Sequence, residues 1–129
     1  MAYSAALLDH LEHPRNVGEL SAPALVAEVT NRACGDRIRL SLQLDGERIV
    51  QAKMKAYGCA PTLAAASALT EIVTGQTIAF ARALEPAAVT DALDGLPRGK
   101  RHAADLAIEA LNSALQRHAH IAFNQVLGK

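Results

Sequence analysis

Two cysteines and an aspartate raise the chemical question in this chain. Cys34 and Asp36 stand in Ala33-Cys34-Gly35-Asp36, and Cys59 follows in Tyr57-Gly58-Cys59. Two thiolates and a carboxylate are ligands for Zn²⁺ or iron. Gly35 and Gly58 each adjoin a candidate ligand, so the backbone there is free to bend and the site stays open. A fourth donor is wanted for a tetrahedral set. Five histidines are present: His10, His13, His102, His118 and His120. Position favours His102, which lies in the loop that starts the last helix. His118 and His120 read as surface residues. His10 and His13 read as helix-end residues facing the last carbonyls of their own helix.

These residues meet only if the elements between them fold in one way. Arg37 to Asp45 alternates, with Ile38, Leu40, Leu42 and Leu44 on one face and Arg37, Arg39, Ser41 and Gln43 on the other. Ile49 to Tyr57 alternates too, with Val50, Ala52, Met54 and Ala56 inward. Asp45-Gly46-Glu47 joins the two as a hairpin turn. Facing residues of an antiparallel pair share a face, so the two apolar sets must oppose each other. Asp36 then faces Ala56 or Gly58, and Cys34 lies beside Gly58 and Cys59. Alternation and one turn therefore bring both sulfurs and the carboxylate to one end of a sheet. Leu25 to Asn31, with Leu25, Ala27 and Val29 on one face, supplies a third strand.

The remaining segments read as helices. Tyr3 to His13 carries Leu7, Leu8 and Leu11 at helical spacing, with Ser4 as a cap and Pro14 as a stop. Pro61 to Thr74, Thr77 to Leu84 and Pro86 to Leu93 follow, with Gly75 ending the first of these. His102 to about Gln125 forms the last helix and buries Leu106, Ala110, Leu111, Ala114 and Leu115. The predicted fold is α+β: a small three-stranded antiparallel sheet, helices packed on one face, and a long C-terminal helix.

Composition narrows the function. At 129 residues the chain is the size of one domain, taken as residues 1–129, and apolar residues at 50% are enough to build its core. Lys+Arg and Asp+Glu are both 13, and aromatics are 3%. Neither a basic field nor a stacking platform is available, which argues against nucleic acid as a partner. No charge-free run is long enough to span a membrane, and the N-terminus lacks the pattern of a secretory signal. Two cysteines do not make a disulfide framework, so the expected compartment is a reducing cytoplasm. No nucleophile–base signature marks an enzyme.

Four segments together resemble the IscU/NifU N-terminal family of iron–sulfur cluster assembly scaffolds. They are Tyr3-Ser4 through Asp9-His10 with Pro14-Arg15-Asn16-Val17-Gly18; Ala33-Cys34-Gly35-Asp36; Tyr57-Gly58-Cys59 with Ala64-Ala65-Ala66-Ser67 and Glu71; and Leu96-Pro97, Lys100 and His102 with Leu106-Ala107. They occur in order over nearly the whole chain. The resemblance implies a scaffold or carrier rather than an enzyme. Cys34, Asp36, Cys59 and His102 match the family's ligands for iron, a [2Fe-2S] cluster or Zn²⁺. Lys100 matches a lysine near the site. It further implies a cysteine desulfurase and recipient apo-proteins as partners, and a monomer or a cluster-bridged dimer. Two departures stand out. Ala103 replaces the family's third cysteine, the implicated sulfur acceptor. Leu96-Pro97-Arg98-Gly99-Lys100 replaces a Leu-Pro-Pro-Val-Lys chaperone peptide, which argues against docking of an Hsp70-type chaperone. The alternative reading is a zinc-binding accessory protein that docks on the assembly machinery without building clusters.

Overall fold

A computed structural model describes the backbone of residues 3–127 and the side chains of residues 3–118. The chain order is α1 (Ala5–Glu12), β1 (Leu25–Asn31), β2 (Asp36–Asp45), β3 (Arg48–Tyr57), α2 (Ala60–Val73), α3 (Ile78–Ala83), α4 (Pro86–Ala92) and α5 (His102–Leu127). The sheet is antiparallel in the order β1-β2-β3, and α2 and α5 pack on one face of it. The architecture is the expected α+β one. His120 falls outside the described side chains, as does any role for the segment from Ala119 onward.

The hairpin register is the one that alternation demands. Ile38 faces Ala56, Leu40 faces Met54 and Leu42 faces Ala52, so each apolar residue meets another on the helix-covered face. Near the turn the pairing slips by one at Gln43/Leu44, and Leu44 faces Ile49. A one-residue slip sends every later side chain to the opposite face. Ile49 is therefore buried and Val50 is 43% exposed, which corrects the strand reading that turned Val50 inward.

The outward face is also less wet than its alternation suggests. The chain leaves α1, runs along the edge of β3 and crosses to β1. Met54 donates to the Asn16 carbonyl and Gly18 donates to the Met54 carbonyl, which caps the β3 edge. Glu19 then pairs with Arg39 on the outward face of β2. Ser41, in register between Val26 and Lys53, is buried there rather than solvated.

Helix α2 is the hub. Ala64, Ala65, Ala66, Ala68, Leu69 and Val73 are all buried, because the helix has β3, α1 and α5 around it. Small side chains let three neighbours approach one helix closely. Thr74 and Gly75, whose φ is +86°, end it as expected. Against this hub α1 is held by polar contacts. The His10 Nδ1 lies 2.8 Å from Ser67 Oγ, and the Asn16 amide donates to Thr70 Oγ1 at 3.1 Å. His10 is thus buried against α2, which corrects its reading as a residue facing its own helix's carbonyls. These contacts meet α2 along Ser67, Thr70 and Glu71.

Candidate metal centre

Two tight turns converge at the end of the sheet away from the hairpin. Asn31 pairs with Asp36, so the β1–β2 connection is only Arg32-Ala33-Cys34-Gly35. Gly35, with φ +73°, donates to the Asn31 carbonyl at 2.8 Å, and Ala33 donates to the Asn31 side chain at 3.1 Å. Cys34 sits exposed at the tip of this loop. On the other side, β3 passes through Gly58 into α2. Gly58 has φ +132°, and a Cβ there would fall 2.0 Å from Asp36 Oδ1 and 2.9 Å from the Asp36 Cα. No other residue type allows β2 and the start of α2 to approach this closely.

Asp36 is the centre of the arrangement, only 1% exposed. Its Oδ1 accepts the Cys59 backbone N–H at 3.0 Å. Its Oδ2 accepts the Thr62 hydroxyl at 2.9 Å and lies 3.1 Å from His102 Nε2 and 3.5 Å from Cys59 Sγ. Cys59 is the N-cap of α2, yet its side chain makes no capping bond. In a capping box, a carboxylate three residues into the helix accepts the N-cap backbone N–H. Here that position is Thr62, and a carboxylate from a different strand does the accepting while Thr62 donates to it. Asp36 therefore completes the helix start from outside the helix. Burial pushes its carboxyl up, but the bonds from the Cys59 N–H, Thr62, His102 and the Cys59 thiol outweigh this and hold it below the ordinary carboxylate range.

His102 begins α5 directly after the Leu96–Arg101 loop. The Lys100 carbonyl accepts the Ala103 N–H at 3.1 Å and so helps start the helix with His102 turned toward Asp36. Ligand atoms of Cys34, Asp36 and His102 all lie within 4.8 Å of one another. Cys59 joins through Asp36 and stands outside that mutually close group. One sulfur, one oxygen and one nitrogen at this spacing, with a second sulfur alongside, form a donor set suited to zinc or iron. Ala103 is fully buried in the core. Thr62 is the residue that sequence reasoning missed. Its signal was its place three residues into a helix that follows a candidate ligand.

The NifU-like N terminal domain family matches residues 2–125. The iron-sulfur cluster assembly scaffold protein IscU of Azotobacter vinelandii is 37% identical over 124 residues, covering 93% of this chain and 96% of that one. An IscU scaffold protein of Archaeoglobus fulgidus is 38% identical over 113 residues, covering 88% and 74%. The bifunctional protein NifU/MnmA of Rubrobacter xylanophilus is 41% identical over 116 residues, but this chain spans only 24% of its length. Among solved structures, a NifU-like protein (N-terminal) from Brucella abortus superposes with TM-score 0.70 at 18% identity, covering 87% of this chain and 90% of that one. That likeness concerns the fold alone.

Proposed function

The chain belongs to the NifU-like N terminal domain family, and we infer that it is an iron–sulfur cluster assembly scaffold or carrier. Its cargo is iron or a transient [2Fe-2S] cluster, its source of sulfur is a cysteine desulfurase, and its clients are apo-proteins. It works as a single domain in the cytoplasm and is not an enzyme. The observation that carries this reading is the convergence of Cys34, Asp36 and His102 within 4.8 Å, with Cys59 against Asp36.

The chain's own residues divide the work. Cys34, on an exposed loop, is the sulfur that an arriving cargo meets first. Asp36 supplies a carboxylate that is already ionised and already oriented. His102, partly exposed, exchanges its contact with Asp36 for one to the cargo. Cys59 closes the set from the start of α2. Loss of cargo reverses these steps and leaves Asp36 satisfied by its hydrogen bonds, so release does not leave a buried charge without partners.

Ala103 favours a second reading, a zinc-holding accessory protein that docks without building clusters. A buried methyl group cannot accept sulfur. The deciding experiment incubates reduced apo-protein anaerobically with ferrous iron, cysteine and a cysteine desulfurase, then records the visible spectrum after desalting. Sulfide-to-iron charge-transfer bands that vanish in Cys59→Ala support the scaffold. A protein that stays colourless with iron and sulfur yet binds added Zn²⁺ stoichiometrically overturns it in favour of the accessory role.

A further inference from the structure

We propose that Thr62 is a positioning residue for the cargo ion, acting through Asp36; this rests on the metal reading of the site. A carboxylate offers about four lone-pair directions. Two donors grip the Asp36 carboxylate from one rigid piece of backbone. The Cys59 N–H holds Oδ1 at 3.0 Å and the Thr62 hydroxyl holds Oδ2 at 2.9 Å. One bond would fix where the carboxylate sits, whereas two on different oxygens also fix its rotation. The second lone pair of Oδ2 then points toward His102 Nε2, 3.1 Å away.

The contacts on the Asp36 carboxylate are not equivalent. His102 is partly exposed and is itself a ligand candidate, so its contact is the one an ion displaces. Thr62 is fully buried, has no other ligand role and need not move. Burial also means that water cannot take the place of its hydroxyl. Thr62 Oγ1 lies 3.3 Å from Cys59 Sγ as well. Its proton is committed to Asp36, and the Cys59 thiol also faces Asp36 Oδ2, at 3.5 Å. Without it, once an ion has taken up His102 and the Cys59 sulfur, Asp36 keeps a single bond, to the N–H of Cys59, and turns about it.

The test is an anaerobic titration of reduced apo-protein with Co²⁺, read by the thiolate-to-cobalt charge-transfer and d–d bands. Thr62→Val keeps the shape and removes the hydroxyl. Removing a residue that orients a ligand costs about ten- to a hundredfold in metal affinity. The expected result is a loss of at least about tenfold in Thr62→Val with altered d–d bands, and recovery in Thr62→Ser. In an Asp36→Asn background, Thr62→Val should change Co²⁺ affinity no further, which a role in helix stability alone would not produce. Should Thr62→Val fail to fold, Thr62→Ala carries the same comparison with Thr62→Ser. Wild-type affinity and spectrum in the hydroxyl-free variant overturn the role of Thr62 and leave the site intact. Absence of charge-transfer bands in the wild type overturns the site itself and the proposal with it.

Discussion

A histidine–carboxylate pair lies against helix α2 at each of two places, and they are built in opposite senses. On its α1 side, His10 Nε2 lies 3.4 Å from Glu71; the histidine side chain is 9% exposed and the carboxylate 49%. At its N-terminal end, His102 Nε2 lies 3.1 Å from Asp36; the histidine is 24% exposed and the carboxylate 2%. Both nitrogens of His10 are used. The Glu71 carboxylate can only accept, so Nε2 of the neutral ring carries the proton, and Nδ1 accepts from Ser67 Oγ, which itself accepts the Arg15 backbone N–H at 2.9 Å. No lone pair remains for an ion. His102 instead makes one protein contact among the described residues, on a carboxylate that has other donors, beside two sulfurs. A junction with every donor and acceptor assigned fastens two helices. A junction whose histidine can leave without stranding its partner can bind and release.

The largest effect that sharpens this contrast should come from Gly58→Ala. Its Cβ must displace Asp36 backbone and side chain, and its φ of +132° strains any residue with a side chain. The expected cost is about 3 kcal/mol or more, with loss of Co²⁺ binding. Gly75→Ala, at φ +86° with nothing within 4 Å, should cost only about 1 kcal/mol. Urea denaturation of both variants makes the comparison, and equal costs would mean that the corner is not close-packed.

Next in size are the crossed histidine variants. His102→Ala should weaken Co²⁺ binding about a hundredfold while moving stability by less than about 0.5 kcal/mol. His10→Ala should do the reverse, costing about 2 kcal/mol because Ser67 and the Arg15 loop lose a buried partner, with ion affinity unchanged. Paired titrations and denaturation curves decide it. Equal effects in both assays would erase the distinction between fastener and site.

The smallest effect is on pH dependence. Burial, aided by Arg15, holds the His10 pKa below its ordinary 6.5. The unfolded chain then takes up the proton first, so stability present above about pH 6.5 is lost as pH falls toward the folded-state value. Asp36 is also held low, from an ordinary 3.8, so its contribution is complete above that value and disappears in a separate, more acidic window. Replacing His10 by Gln should flatten the first window and leave the second. Thermal melts between pH 7 and pH 3 would show it, and a single merged window would argue against two independent junctions.

Much of the candidate site was legible because its residues are tied to strand ends. Ile38, Leu40 and Leu42 against Ala52, Met54 and Ala56 leave only a few registers, and those place Asp36 by Gly58. His102 was legible only by its place at a helix start. His10 was misread because its partner, Ser67, lies far along the chain on another element. Val50 was misread because a bulge has no strong sequence signal when both neighbours are apolar.

The sequence by itself determined the element types, the faces that the two hairpin strands turn to each other away from the bulge, and the end of the sheet where sulfur and carboxylate gather, since these follow from periodicity, turn residues and local sterics. Only the tertiary structure decided that Asp36 caps a helix it does not belong to, that Thr62 holds it, and that Cys59 stands outside the closest three donors. Those outcomes depend on ångström-scale approach between β2 and the start of α2. Alternation specifies which residues face each other, whereas packing sets how closely their side chains meet and which hydrogen bonds they then share.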